Sequence, residues 1–362
     1  MTRTLRATHP DIDIELFAST DVGRVRKNNE DNFLVAHLGL GISGLSEEIK
    51  RHKVSPQGTL LLVSDGMGGA QAGEVASQMA VDCLYQRLRQ QYLVEETETR
   101  LLAAIKETNL AIRQAARTSS RQTGMGATLT ALIVTGNKAY IAAVGDSRAY
   151  VVRAGTITQL TKDQSMVQRL IDQGLITAKQ ATRHPSRNII LQALGSQRKV
   201  NVALTIFELC QNDILLLCTD GLTSKVADEE IKDIILGSIS VESACCNLIE
   251  TANRQGGDDN ITVVIAKFTG KGLLPAQEEL DITDCIYIDG VLEGRMRRSI
   301  VTQDRINVGQ LEPVTTVLKK TENREHSQDF EAIEPYHTNP WKVFAILALI
   351  SIIIFLLIRI RI

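Results

Sequence analysis

The stretch LLLVSDGMGGAQAGEVAS, residues 60–77, ends an aliphatic run in a bare carboxylate, Asp65, and follows it with glycines at 66, 68 and 69. A short apolar run closed by turn residues fits a strand buried on both faces, so residues 59–64 read as interior strand and 73–91 as a helix. A charge at the end of such a strand costs several kcal/mol unless something pairs with it. The partner of Asp65 has to come from elsewhere in the chain.

The same grammar recurs. DILLLCTDG, 213–221, ends in Asp220-Gly221, and GGDDNITVVIAKF, 256–268, inverts the order, with Asp258, Asp259 and Asn260 just ahead of a strand. AYIAAVGDSRAYVV, 139–152, holds Asp146 in a tight turn between two strands, and RKNNEDNFLV, 26–35, puts Arg26, Glu30 and Asp31 at the start of another. A single Asp-Gly pair is ordinarily a turn. Five acidic clusters at strand ends would repel one another on convergence, and a divalent cation removes that penalty. Oxygen ligands without His or Cys favour Mg²⁺ or Mn²⁺ over zinc. The glycines let a backbone carbonyl, that of Gly66, approach a metal.

Around these clusters, residues 1–269 alternate strand and helix patterns as one domain. Strands are expected at 12–19, 31–37, 59–64, 128–134, 138–144, 148–153, 200–207, 213–218 and 261–268, with hairpin turns at Gly136-Asn137 and Ala154-Gly155. Amphipathic helices are expected at 73–91 (Val75, Met79, Cys83, Leu84) and 97–117 (Leu101, Leu102, Ile105, Ile112), with Asp228 capping a helix through 236 and another at 241–254. Hairpin-grouped strands with helices in blocks indicate α+β layers. The formal charge of -2, with no basic stripe, argues against a nucleic-acid partner. The six cysteines form no CxxC pair, and no export signal opens the chain, so they read as reduced thiols in a cytoplasmic domain.

The ordered motifs RxxNEDN (26–32), SDGMGGxxxGExAS (64–77), GATLTAL (126–132), GDSRAY (145–150), TDGL (219–222) and GGDDNITVV (256–264) resemble those of the metal-dependent protein phosphatases of the PPM type, in their bacterial form. The resemblance covers residues 12–269. It implies a four-layer α-β-β-α sandwich of two antiparallel sheets flanked by helices, and hydrolysis of phosphoserine or phosphothreonine in proteins by a water activated between two Mn²⁺ or Mg²⁺ ions. Carried over by position, Asp65 bridges the ions, the Gly66 carbonyl faces one of them, and Asp220 and Asp259 hold the other. Glu30 and Asp31 hold the ions' waters, Asp146 with Asp220 forms a weaker third site, Arg26 clamps phosphate, and Asn260 positions its neighbour. The insertion at about 164–195 resembles the family's flap, where substrate is selected. Met67 stands where animal members often carry the histidine that acts as general acid. His184, at the flap's turn, reads as structural. The rival implication is a catalytically silent, phosphoprotein-binding scaffold; the intact Asp65, Asp220 and Asp259 favour activity.

CLYQRLR, 83–89, formally matches the C-x5-R skeleton of cysteine-dependent phosphatases, but a glycine-free helical stretch offers no loop to cradle phosphate. Residues 270–340 turn polar and read as a linker. WKVFAILALISIIIFLLIRIRI, 341–362, contains sixteen uncharged positions from Val343 to Ile358, thirteen of them Val, Ile, Leu or Phe. Insertion of such a run is favourable by on the order of 4–8 kcal/mol. This predicts a single-pass C-terminal transmembrane anchor, although a buried core helix has a similar length. Anchoring points to membrane-bound Ser/Thr kinases or their substrates as partners.

Overall fold

Leu60, Leu61, Leu62 and Val63 are all fully buried, and they alternate between two cores. Leu60 and Leu62 face a helix layer, and Leu61 and Val63 a second sheet. Each such side chain contributes about 1.5–3 kcal/mol by burial. This is why the run has no alternation to read: both faces of its strand are interior.

The computed structural model describes residues 11–90, 96–119, 122–277, 279–288 and 290–301, all within the first of two units, Met1–Ile306 and Asn307–Ile362. In chain order the elements are β1 (Asp13–Asp21), β2 (Asp31–His37), β3 (Ile42–Ser43), α1 (Glu47–Lys50), β4 (Arg51–Lys53), β5 (Thr59–Met67), α2 (Ala70–Gln90) and α3 (Thr97–Thr118). Next come β6 (Gly126–Ala127), β7 (Leu129–Thr135), β8 (Lys138–Val144), β9 (Arg148–Arg153), β10 (Thr156–Gln159), α4 (Met166–Asp172) and α5 (Ala178–Ala181). The rest are β11 (Asn201–Glu208), β12 (Ile214–Cys218), α6 (Asp220–Thr223), α7 (Asp228–Gly237), α8 (Val241–Arg254), β13 (Ile261–Thr269), β14 (Glu279–Ile288) and β15 (Val291–Val301).

Two antiparallel sheets result. One runs β10-β9-β12-β13-β1-β4; the other runs β15-β14-β11-β8-β7-β5-β2-β3, with β6 beside β5. Leu16, Val151, Leu217 and Val264 from the first meet Leu61, Leu132 and Ile141 from the second. Helices α2 and α3 cover the outer face of the second sheet through Leu84, Leu101 and Ile105, and α7 and α8 cover the first through Ile231 and Leu248. This is the expected α-β-β-α sandwich.

All nine expected strands form, within one or two residues at most ends. Three details differ. Asp228 is the first residue of α7 rather than its cap, and its carboxylate accepts a hydrogen bond from the Tyr150 hydroxyl at 3.0 Å. Cys83 is only half-buried, because α2 turns the smaller Ala76 and Ala80 to the sheet; burial raises its thiol pKa, the wrong direction for a nucleophile. Third, the expected linker of 270–340 does not begin at 270, since β14 pairs with β11 and adds a hairpin to the second sheet. The rest of that stretch and the expected transmembrane helix of 341–362 lie outside the described residues, among which no helix is long and apolar enough to cross a membrane.

At the sheet end away from Asp146, Arg153 donates to both carboxylate oxygens of Asp213 at 2.8 and 2.6 Å and to the Glu208 carbonyl at 2.7 Å. The two side chains are 3% and 0% exposed. A buried pair persists only with its hydrogen bonds complete, and lysine cannot reproduce the fork. Arg153→Lys is expected to cost about 2 kcal/mol in urea unfolding; an unchanged midpoint would contradict this.

Candidate active site

Antiparallel pairing brings the acidic clusters to one edge of the sandwich. Asp31 opens β2 directly across from Asp65 in β5. Asp146 sits between β8 and β9, Asp220 follows β12, and Asp259 precedes β13. Because these strands alternate in direction, the ends of some and the starts of others fall on the same edge. The carboxylates feel one another. Burial first, then Asp31, Asp220, Asp146 and Asp259, raises the Asp65 pKa well above its ordinary value. Burial also lifts Asp31 to about 7, Asp146 to about 8 and Asp220 to about 6, each with a neighbouring aspartate adding to the rise.

The supporting contacts explain the glycines. A Cβ on Gly66 would lie 2.0 Å from the Gly73 carbonyl oxygen, and one on Gly73 would lie 2.1 Å from Glu30 Oε2. The first turn of α2 is therefore packed against the Asp65 strand and the Glu30 carboxylate, with no room for a side chain at either place. A Cβ on Gly221 would collide with the Asn260 carbonyl at 1.9 Å, so the Asp220 and Asp259 segments are equally close.

The Asn260 side chain, expected to position its neighbour, bonds instead to the loop of residues 22–30. Its Oδ1 accepts from the Glu30 amide at 2.9 Å, and its Nδ2 donates to the carbonyls of Val22 and Asn28, also at 2.9 Å. It holds the loop that carries Arg26 and Glu30 against the β13 start. Asn260→Ala removes three partly buried hydrogen bonds and is expected to cost about 2–3 kcal/mol, at roughly 1 kcal/mol each, with KM rising more than kcat falls as Arg26 loses its support; unchanged kinetics would show that the loop holds itself.

Arg26, expected at phosphate, donates instead to Asp259 Oδ2 at 2.8 Å, with its side chain 49% exposed. A guanidinium takes the nearest carboxylate. His184 Nδ1 accepts from the Ser186 amide at 3.1 Å and caps its turn. Met67 lies beside Gly126 at this edge.

Sequence reasoning missed the hydroxyls. Thr219 and Thr262 both donate to Asp31 Oδ2 at 2.7 Å. Thr128 Oγ1 accepts from the Asp65 amide and pairs with Ser147 Oγ, each at 2.8 Å, tying the Asp65 strand to the Asp146 turn. Only Thr219 and Ser147 stand next to a motif acid, Asp220 and Asp146, the one signal that could have marked them; Thr128 and Thr262 have none beside them in the sequence.

The donor set fits divalent cations. It is all oxygen, and Asp146 Oδ1 is buried with no hydrogen-bond partner. Among the described residues no three acidic, His or Cys side chains yet close on one point; Asp259 is turned toward Arg26.

Residues 48–263 match the family described as protein phosphatase 2C. The chain belongs to that family. It is 39% identical over 251 residues to the serine/threonine phosphatase stp of Listeria welshimeri, covering 68% of this chain and 93% of the relative. The crystal structure of the Mycobacterium tuberculosis serine/threonine phosphatase PstP/Ppp, at 37% identity, superimposes with a TM-score of 0.60 over 70% of this chain and 98% of that one. The catalytic domain of PstP in complex with two manganese ions gives 36% identity and a TM-score of 0.60 over 71% and 99%. This member of the 2C family is a protein serine/threonine phosphatase that uses Mn²⁺ or Mg²⁺.

Proposed function

We propose that this phosphatase works through the carboxylates at the β2, β5, β8, β12 and β13 ends, and that it acts at the cytoplasmic face of a membrane on proteins phosphorylated by Ser/Thr kinases. The supporting observation is the gathering of five acidic clusters at one edge, where burial and their mutual repulsion raise the carboxylate pKa values and a divalent cation would offset that repulsion. Asp65 and the Gly66 carbonyl would hold one ion, and Asp65, Asp220 and Asp259 the other. Asp146 with Asp220 would take a third, and Glu30 and Asp31 would stand behind the ions' hydration. Such ions supply a nucleophile at neutral pH and offset charge on the phosphoryl oxygens.

The chain's own groups do the rest. Arg26 would exchange Asp259 for phosphate, a swing that costs little because its side chain is half exposed. Thr219 and Thr262 keep Asp31 oriented by donating to one of its oxygens. Met67 has no proton to give a leaving alkoxide.

The test is hydrolysis of p-nitrophenyl phosphate and of a phosphothreonine peptide across a Mn²⁺ and Mg²⁺ series. Turnover that appears with metal and vanishes with chelator is expected. Phosphopeptide binding without hydrolysis at every metal would instead support the silent scaffold. The membrane reading rests on the apolar run Val343 to Ile358. In cells expressing the chain ended at 340, phosphorylation of membrane proteins is expected to rise; no change at any membrane site would contradict it.

A further inference from the structure

The hairpin of β14 and β15 lies past residue 263, where the 2C match ends, and it carries an unusual edge. Among the described residues β15 pairs only with β14, so one row of its backbone N–H and C=O groups faces outward along eleven residues. Natural edges are blunted by shortness, charge or bulges. This one is long and keeps Val291 (62% exposed), Leu292 (45%) and Met296 (60%) open, with Ile286 (55%) beside them on β14. Three arginines, 295, 297 and 298, share the strand with a single acid, Glu293. Arg295 reaches toward Glu98 and Arg298 bonds Asp284, while Arg297 stands exposed.

Register places this edge beside the catalytic one. Gln164 accepts from the Gly145 amide, next to Asp146, at 2.8 Å and donates to the Asn201 carbonyl at 3.2 Å. Asn201 pairs with Ile288, and Ile288 with Val291. The start of β15 is thus level with the Asp146 turn, three strands away in the order β8-β11-β14-β15. At ~4.8 Å per strand that is about 15 Å, which an extended chain spans in about five residues.

We propose that β15 is a docking edge for the substrate itself. An extended, acidic segment of the phosphoprotein, about seven or more residues from the phosphorylated side chain once the further strand spacing and the run along β15 to Arg295 are added, joins as a further strand, its acids meeting Arg297 and Arg295 and its apolar side chains covering Met296 and Leu292. The claim rests on the phosphatase reading above and assigns its substrate selection in part to the added hairpin. A lipid surface would satisfy the arginines but offers nothing to pair the outward backbone groups; an extended peptide does both.

The experiment uses the full chain with Mn²⁺ and three substrates. These are p-nitrophenyl phosphate, a phosphothreonine peptide with four flanking residues on each side, and longer peptides with three acidic residues placed seven to nine positions before or after the phosphothreonine. Arg297→Glu is expected to raise KM about five- to tenfold for one of the long peptides, with kcat unchanged and the two small substrates unaffected; Arg297→Lys should retain most of the wild-type KM. Equal KM values for long and short peptides in the wild type, or an Arg297→Glu effect shared by every substrate, would overturn the proposal. So would faster turnover of the long peptide by Arg297→Glu, dissociation of a dimer, or loss of binding to phosphatidylserine vesicles with peptide kinetics untouched. Failure of the wild type on all three substrates would instead overturn the phosphatase reading.

Discussion

Asp220→Asn removes turnover by about 10³-fold or more at saturating Mn²⁺ while leaving the chain folded. The exchange keeps shape and hydrogen-bonding capacity and deletes one charge from the crowded edge. Burial and then Asp259 raise the Asp220 pKa to about 6, so its ionised form is the costly one when no cation is near. Neutralising it relieves repulsion, and the chelated variant should melt no lower than the chelated parent. A residue that holds two of the proposed ions cannot be replaced by a neutral amide without weakening both, and 10³ in rate corresponds to about 4 kcal/mol of transition-state stabilisation. The check is kcat with p-nitrophenyl phosphate at rising Mn²⁺, beside a thermal melt in chelator. Activity within tenfold of the parent would remove Asp220 from the machinery; a collapsed melt would mean that its role is structural.

What made this site legible was that each acid stands at or beside a strand end, at the start of β2, in β5, between β8 and β9, after β12 or before β13. Apolar runs fixed β5, β12 and β13, and the Asp or Asn at each end marked where the buried strand meets solvent. The hydroxyls at Thr128, Thr219 and Thr262 carry no such mark, since a threonine in or beside a strand is ordinary and its hydrogen-bond partner is set only by tertiary packing. The β14–β15 hairpin escaped for a different reason. Leu280 and Ile282 face the sister sheet, whereas Cys285 and Tyr287 face the helix layer. The strand changes which of its faces is buried halfway along, so its two-residue alternation breaks at Thr283-Asp284 and the segment reads as polar. β15, exposed along nearly all of its length, has no alternation to find.

The same repulsion predicts how metal binding responds to pH. Asp31, Asp146 and Asp220, at about 7, 8 and 6, retain protons far above the ordinary carboxylate value of 3.8. A carboxyl group raised in the folded state favours folding fully below its unfolded pKa and loses that contribution as pH rises through the folded one, so the metal-free domain gives up stability from these groups between about pH 4 and 8. His52 runs the other way: burial lowers it to about 4, and its contribution is present above 6.5 and lost as pH falls. It sits against Ile49 and Thr59, away from the carboxylate edge, and cancels when the same domain is compared with and without metal. Because ligands must shed their protons, Mn²⁺ binding that ionises all three should release about two protons at pH 6.5, and affinity should climb by on the order of 10⁴-fold between pH 5.5 and 8, at about 1.4 kcal/mol per proton per pH unit. Titration calorimetry in two buffers of different ionisation enthalpy measures the release directly. Proton-neutral binding at pH 6.5, with a Mn²⁺-induced rise in melting temperature that does not grow from pH 5.5 to 8, would mean that these carboxylates are already ionised without the metal and that their mutual repulsion is relieved by something other than a cation.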